Sequence, residues 1–213
     1  EDTNLFPNGR FMVVVLDCDD ADLANKLNYL RNSWTPNSSD NCSTPTVLQD
    51  TDQQLAGPFT CPEIERYTAT WTSQDGCGNI TTGTERFRLR IEIHDLNAPA
   101  FDPADNPPMD TSIVADAGDC SLDLTASNLL EVNAEDCTNI DYSYTISGEL
   151  NTSGSGNNAN LVYPVGTSEI TYTAEDECGQ TAQYVINLTV IDDQLPVIND
   201  CAASLDSVGT DLF

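Results

Sequence analysis

The side chains of this chain that could do chemistry are mostly carboxylates and amides. Asp75 stands in the turn Gln74-Asp75-Gly76-Cys77-Gly78, and Asp95 and Asn97 follow the next apolar run, just ahead of Pro99. Near one hundred residues later Asp176 stands in Glu175-Asp176-Glu177-Cys178-Gly179, and Asp192 and Asp193 precede Pro196. Oxygen donors gathered at a domain end suit a hard divalent cation, since Ca2+ takes about six to eight oxygens at roughly 2.4 Å. The pattern predicts one site from Asp75, Asp95 and Asn97, closed by Asp102 and Asp105 beyond the proline. A second is predicted from Asp176, Asp192 and Asp193. Glu135 with Asp136, and Asp116 with Asp119, are lesser sets. The competing reading is turn chemistry, in which an aspartate accepts hydrogen bonds from its own backbone two residues on. That accounts for Asp75 and Asp176 but not for a second acidic cluster beside each proline. No twelve-residue calcium-loop signature is present.

Other chemistries have fewer parts. His94 is the one histidine, so a Ser/His/Asp or Cys/His arrangement has a single possible member, and a strand-end surface histidine is the plainer reading. With 35 acidic residues, some carboxylate pair falls by chance at the spacing that glycoside hydrolysis uses. No Gly-rich phosphate loop occurs, and the expectation is that the chain is not an enzyme. Arg86, Arg88 and Arg90 alternate along one strand face, where cross-strand pairing with Glu63, Glu65 or Glu92 is commoner than a ligand stripe. Seven basic residues against the 35 acids give a net charge of −28. That balance argues against nucleic acid and anionic membrane as partners, because both require cationic contacts. No apolar run approaches the roughly 20 residues of a membrane span. Sequons at Asn37, Asn41, Asn79, Asn151 and Asn187 fit an exposed extracellular chain.

The elements that must position these groups read as strands. Ile170, Tyr172 and Ala174 alternate with polar residues, and after the acidic turn Tyr184, Ile186, Leu188 and Val190 do the same. Period-two alternation across a Gly-bearing turn is an antiparallel pair with one buried face. The phrase is written earlier too: Tyr67 to Trp71, the turn at Asp75, then Arg86 to Ile93. Cys77 and Cys178 lie 101 residues apart, and Pro99 and Pro196 lie 97 apart. Two copies at that spacing predict tandem domains of immunoglobulin size. The fold class expected is all-β: tandem immunoglobulin-like antiparallel β-sandwiches with one short helix, over 1–98 and 99–198. Residues 199–213 would begin a third repeat or supply an exchanged terminal strand. The helix is expected at about 20–32, laid over the end of the first sandwich. Asp17, Asp19, Asp20 and Asp22 favour its N-terminus, with a calcium loop as their functional alternative. Pro99, Pro103, Pro107 and Pro108 predict a stiff junction.

Tyr163-Pro-Val-Gly-Thr, the Tyr-Thr-Ala-x-Asp run, Cys-Gly and the closing Pro-Val-Ile resemble the hyalin-repeat (HYR) modules and related bacterial Ig-like repeats. The resemblance covers 163–198 and, less closely, 67–101. It implies a structural or adhesive repeat of large surface adhesins and gliding-motility-associated proteins, located on the bacterial cell surface. Neighbouring repeats or identical subunits are the implied partners. The acidic turn with an Asp-rich exit before proline is also similar to the calcium-clamping junctions of cadherins.

Eight cysteines (Cys18, Cys42, Cys61, Cys77, Cys120, Cys137, Cys178 and Cys201) without CxxC pairs point to disulfides in an oxidising compartment and away from zinc. Their connectivity is open, since eight cysteines permit about a hundred pairings. The repeat favours Cys18 with Cys42 and Cys120 with Cys137, leaving Cys61 to face Cys77 and Cys201 to return to Cys178. The function expected is mechanical: a disulfide-stapled extracellular repeat rigidified by calcium. One alternative is a filament subunit joined by terminal strand exchange. Another is a glycan- or protein-binding module of a secreted enzyme, with Trp34 as its exposed platform and Trp71 turned into the core.

Overall fold

A computed structural model describes residues 11–197. The termini, with Cys201 and the segment 199–213 expected to open a third repeat or be exchanged, lie outside the described residues. Alternation sets the first sheet. β1 (Phe11–Asp17), β2 (Thr46–Leu55), β3 (Glu63–Gln74) and β4 (Phe87–His94) form four strands in the order β1-β4-β3-β2. β1 runs parallel to β4, and the other two pairs are antiparallel. In register, Val14 faces Ile91 and Ile91 faces Tyr67; Leu89 faces Ala69 and Phe87 faces Trp71. One face of the sheet is therefore apolar, and Trp71 on it is 1% exposed.

The helix α1 (Leu23–Asn32) covers that face. Leu23, Leu27 and Leu30 fall at helical spacing and pack on the cluster, followed by Trp34. The helix lies on the face of the sheet, not over its end as expected. It stands in chain order where the second unit has a strand, and with Trp34 it supplies the layer opposite the sheet. The Trp34 ring meets Trp71 edge-on at 5.4 Å and Phe87 at 5.4 Å. Trp34 is thus part of the packing and is not a free platform. The aspartates ahead of the helix divide. Asp20 accepts from the Asp22 N–H and pairs with Lys26, while Asp22, the N-cap residue, makes no side-chain cap hydrogen bond.

The far face of the sheet is polar on β3 and β4, with Phe11, Val13 and Val15 of β1 beside it. Arg90 pairs with Glu92 at 2.7 Å and Arg66 with Glu63 at 2.5 Å. Arg86 reaches Asp50 at 2.8 Å, a partner outside the three expected glutamates. His94 Nε2 sits 3.0 Å from Glu92.

The second unit is a two-layer sandwich. β5 (Asp110–Val114), β7 (Asp141–Gly148), β8 (Thr152–Ser155), β10 (Gly166–Glu175) and β11 (Thr181–Ile191) form one sheet, ordered β5-β11-β10-β7-β8. β6 (Ser121–Asp123) and β9 (Val162–Pro164) form the other. Again the first strand runs parallel to the last. The residues expected on the inner face, Ile170, Tyr172, Ala174, Tyr184, Ile186, Leu188 and Val190, are all buried. The chain is thus all-β in class, with a single α-helix among the described residues.

Segments without regular structure close the second core. Leu130 and Val132 are fully buried. Tyr172 donates its hydroxyl to Leu130 O at 2.5 Å and accepts the Ala159 N–H at 3.0 Å. Tyr163 donates to Ala159 O at 2.6 Å. Asn160 accepts from the Leu130 N–H and donates to Ser127 O. Polar side chains here give buried backbone groups the partners that no ladder supplies.

Candidate metal centre

The two units meet end to end, and the chemistry of the sequence gathers where they meet. Asp95 leaves β4 with its N–H bonded to Pro62 O at 2.8 Å, and Cys18 at the end of β1 donates to His94 O at 2.9 Å. These set the lower end of the first unit. Two pieces of the second unit face it: the segment before β7 and the turn between β10 and β11. Ala100 and Glu135 exchange backbone hydrogen bonds at 2.9 Å, anchoring the first piece. In the turn, Asp176 Oδ1 accepts the N–H groups of Cys178 and Gln180, each at 2.8 Å.

Asp95 is 1% exposed and Asp176 is 6% exposed. Asp95 Oδ2 accepts from Thr138 Oγ1 at 3.0 Å and Oδ1 from Gln180 Nε2 at 3.2 Å, both partners in the second unit. Carboxylate oxygens of Asp19 and Asp95 approach within 4.8 Å, as do those of Asp95 and Asp176. Asp136 Oδ1 and Asp176 Oδ2 are buried and have no hydrogen-bond partner. Asn97 donates to Asp17 Oδ2 at 2.9 Å and Asp19 Oδ2 at 3.2 Å beside the cluster. An open groove of about 810 Å³ runs along it, lined by Asp19, Asn97, Asp136 and Thr138 among others.

The electrostatics are unfavourable as they stand. Burial raises the pKa of Asp95 above its usual range. The Thr138 hydroxyl opposes that, and the charges of Asp136, Asp176 and Asp19 add to it. Two buried carboxylate oxygens without donors are costly for a folded chain. A divalent cation beside Asp95 would offset the repulsion among these carboxylates. The donors are oxygens from four carboxylates, with the Asn97 amide adjacent, and the nearby sulfurs are tied up as disulfides. That set fits a hard cation and not zinc.

The structure joins only part of the predicted sets. Asp95 and Asp176 come together, and Asn97 stands beside them. Asp75 does not join them, because it lies at the opposite end of β3 from Asp95. Its Oδ1 accepts from Cys77 and Asn79, and its Oδ2 from the Asn79 side chain, so turn chemistry occupies it. Asp192 and Asp193 are likewise at the far end of β11 from Asp176, and Asp192 accepts from the Gln194 N–H. The error is geometric: the strand leaving a hairpin carries its end away from the turn, here by about 3.3 Å per residue. What meets Asp95 is the turn of the next unit. Asp102 caps its own turn through the Ala104 N–H, and Asp105 continues that turn; neither reaches the cluster. Asp19, read mainly as a helix-start residue, and Asp136, ranked as a lesser candidate, belong to it.

The disulfides also cross the junction. Cys18 is bonded to Cys137, and Cys61 to Cys178. Neither the expected Cys18–Cys42 and Cys120–Cys137 pairs nor the Cys61–Cys77 pair forms, and Cys178 is taken by Cys61 instead of Cys201. Each cysteine that begins the joint lies at the lower end of the first unit, and each that receives it lies at the upper end of the second. Cys42, Cys77 and Cys120 are exposed thiols.

No protein-family model matches the chain, and neither does any curated protein sequence. Among solved structures it is similar to human mucin-like protocadherin EC1-2, at 12% identity over 84% of this chain and 95% of that one, with a TM-score of 0.36. Mouse clustered PcdhgC3 EC1-3 shares 15% identity over 90% of this chain and 69% of that one, with a TM-score of 0.35. Human CDH23 EC21-23 shares 16% over 59% and 47%, again with a TM-score of 0.35. At these scores the likeness is distant and assigns nothing to the site.

Proposed function

We propose that the chain is an extracellular structural repeat of the HYR type from a bacterial surface fibre or adhesin, and that its work is to hold two units in a fixed relation under tension. The observation that carries this is the joint itself: two disulfides cross it and bracket an acidic cluster in which Asp95 and Asp176 are buried and Asp19 is exposed. A disulfide limits how far a pulled chain extends, and the loops closed here span 119 and 117 residues, long enough for a large effect on the unfolded ensemble. Two such links at separate points oppose rotation as well as separation.

Calcium at Asp19, Asp95, Asp136 and Asp176 completes the joint. Bound there, the ion supplies charge neutralisation and takes up the two unpartnered oxygens, while Thr138 and Gln180 hold Asp95 in orientation. The role is structural, and we read the chain as non-catalytic: its histidine is engaged with Glu92.

Removal of calcium tests this directly. Chelation is expected to lower the melting temperature and to broaden the distance distribution in small-angle scattering. Asp176→Asn should reproduce both changes in saturating calcium. Coincident melting and scattering curves with and without chelator would remove the cation from the reading.

A further inference from the structure

We propose that, with both disulfides formed, tension along the chain passes from β1 to β11 through the sulfurs and a clasp at Asp95, and that the polypeptide joining the two units, Leu96 to Met109, carries none of it. The proposal rests on reading the joint as structural, and it names the route by which that joint takes load.

Two placements define the route. β1 runs beside β4 down to His94 and ends at Asp17, next to Cys18. β11 starts at Thr181, just past Cys178, and runs back beside β10. A pull that enters along β1 and leaves along β11 therefore arrives at one disulfide and departs from the other. Three stretches of chain connect the two bridges: 18–61, 61–137 and 137–178. The middle stretch is much the longest and holds β3, β4, the proline junction, β5 and β6. As the bridges are drawn apart, the two short stretches come taut first and the middle one stays slack.

Before any stretch unfolds, load crosses between the bridges through contacts, and these converge on His94 and Asp95. The Cys18 N–H donates to His94 O at 2.9 Å, and the Asp95 N–H donates to the carbonyl of Pro62, beside Cys61, at 2.8 Å. Asp95 Oδ2 accepts from Thr138, beside Cys137, at 3.0 Å. Its Oδ1 accepts from Gln180, two residues past Cys178, at 3.2 Å. One dipeptide thus bonds at or within two residues of every bridged cysteine. An Asp95 carboxylate oxygen lies within 4.8 Å of the Cys18 and Cys137 sulfurs, and one lies within the same distance of the Cys178 sulfur. Asn139, which donates to the Glu177 carboxylate, adds a direct link between the two sides.

For reach, the two bridges are redundant. They bypass 119 and 117 residues, so either one alone leaves nearly the same shortest covalent route. Losing both lengthens that route by roughly 400 Å, at about 3.5 Å per residue. Reduction also returns the load to β4 and the junction.

Pulling single molecules of the full chain by its two termini tests this, with the exposed thiols alkylated. A specific protease site is placed in the exposed turn Asp102–Asp105 and cut after folding. In the oxidised chain the cut molecule should stay tethered, open at the same force and reach the same full length as the uncut one. The same cut in the reduced chain should part the tether. An opening force that drops on cutting, or an oxidised tether that parts, overturns the proposal. Substitutions test it without an insertion. C18S/C137S and C61S/C178S should each reach within about 10 Å of the wild-type full length, and the fourfold variant roughly 400 Å further. A gain of hundreds of ångströms from either pair alone overturns the route. Asp95→Ala should lower the first opening force in cut and uncut chains alike, and an unchanged force overturns the clasp. A joint that opens at no measurable force, cut or uncut, sinks the structural reading and the route with it, whereas a force lost only on cutting sinks the route alone.

Discussion

The surroundings of Asp95 disfavour its charged form. Its folded pKa is raised, by burial first and then by Asp136, Asp176 and Asp19. A carboxylate raised in this way favours the fold at pH below its unfolded value near 3.8, and that contribution is lost as pH rises through the folded value. In calcium-free buffer, Asp95→Asn should therefore raise the melting temperature at pH 7, and the difference from wild type should fade as pH falls below 4. In saturating calcium the sign should reverse, because the substitution removes a ligand charge. Thermal melts across pH in both buffers would show the crossing, and the same sign in both would contradict the assignment of Asp95 as a ligand.

Tyr172 tests the other kind of buried polar group. Burial pushes its pKa up to about 12, and its hydroxyl serves Leu130 O and Ala159 N. Tyr172→Phe leaves both unpartnered, with an expected loss of about 1–3 kcal/mol in denaturant unfolding. The tyrosine's contribution is full below pH 10 and declines as pH rises toward 12, so the substituted chain should lose less stability over that window.

At the scale of elements, α1 is the part of the first unit most exposed to test. Leu27 sits half-buried on the sheet. Leu27→Ala should cost about 1–2 kcal/mol, below the range for a fully buried leucine, read as a shift in denaturant midpoint. This helix was legible in the sequence from Leu27 and Leu30 at helical spacing and from the aspartates ahead of them, though Leu23 and the surface the helix covers were not. Helical spacing shows that a face is apolar and leaves open what lies beneath it. Strands β10 and β11 were legible residue by residue, because alternation survives wherever one face is buried. The buried loops around Leu130 and Ala159 had no such signal: their order comes from Tyr163, Tyr172 and Asn160 reaching across long separations. The acidic cluster was half legible. Asp95 and Asp176 stood out by their repeat, yet their meeting depends on how one unit stacks on the next, and no periodicity within a unit records that. The same stacking decides the cysteine pairs.

At the scale of the whole molecule, the two disulfides tie the units together at two points. Reduction should loosen the particle even in calcium, and chelation should loosen it further in the reduced protein than in the oxidised one. Small-angle scattering in the four combinations measures both. Equal maximum dimensions throughout would show that neither the sulfur bridges nor the cation sets the relation between the units.

The parallel pairing of β1 with β4, and of β5 with β11, has a consequence for how each sheet would fail. A pull entering at Phe11 and leaving beyond His94 drags these neighbours past one another lengthwise. Every rung from Phe11–Arg88 to Asp17–His94 then bears the shear at the same moment. An antiparallel pair gripped at its open end would instead peel one rung at a time.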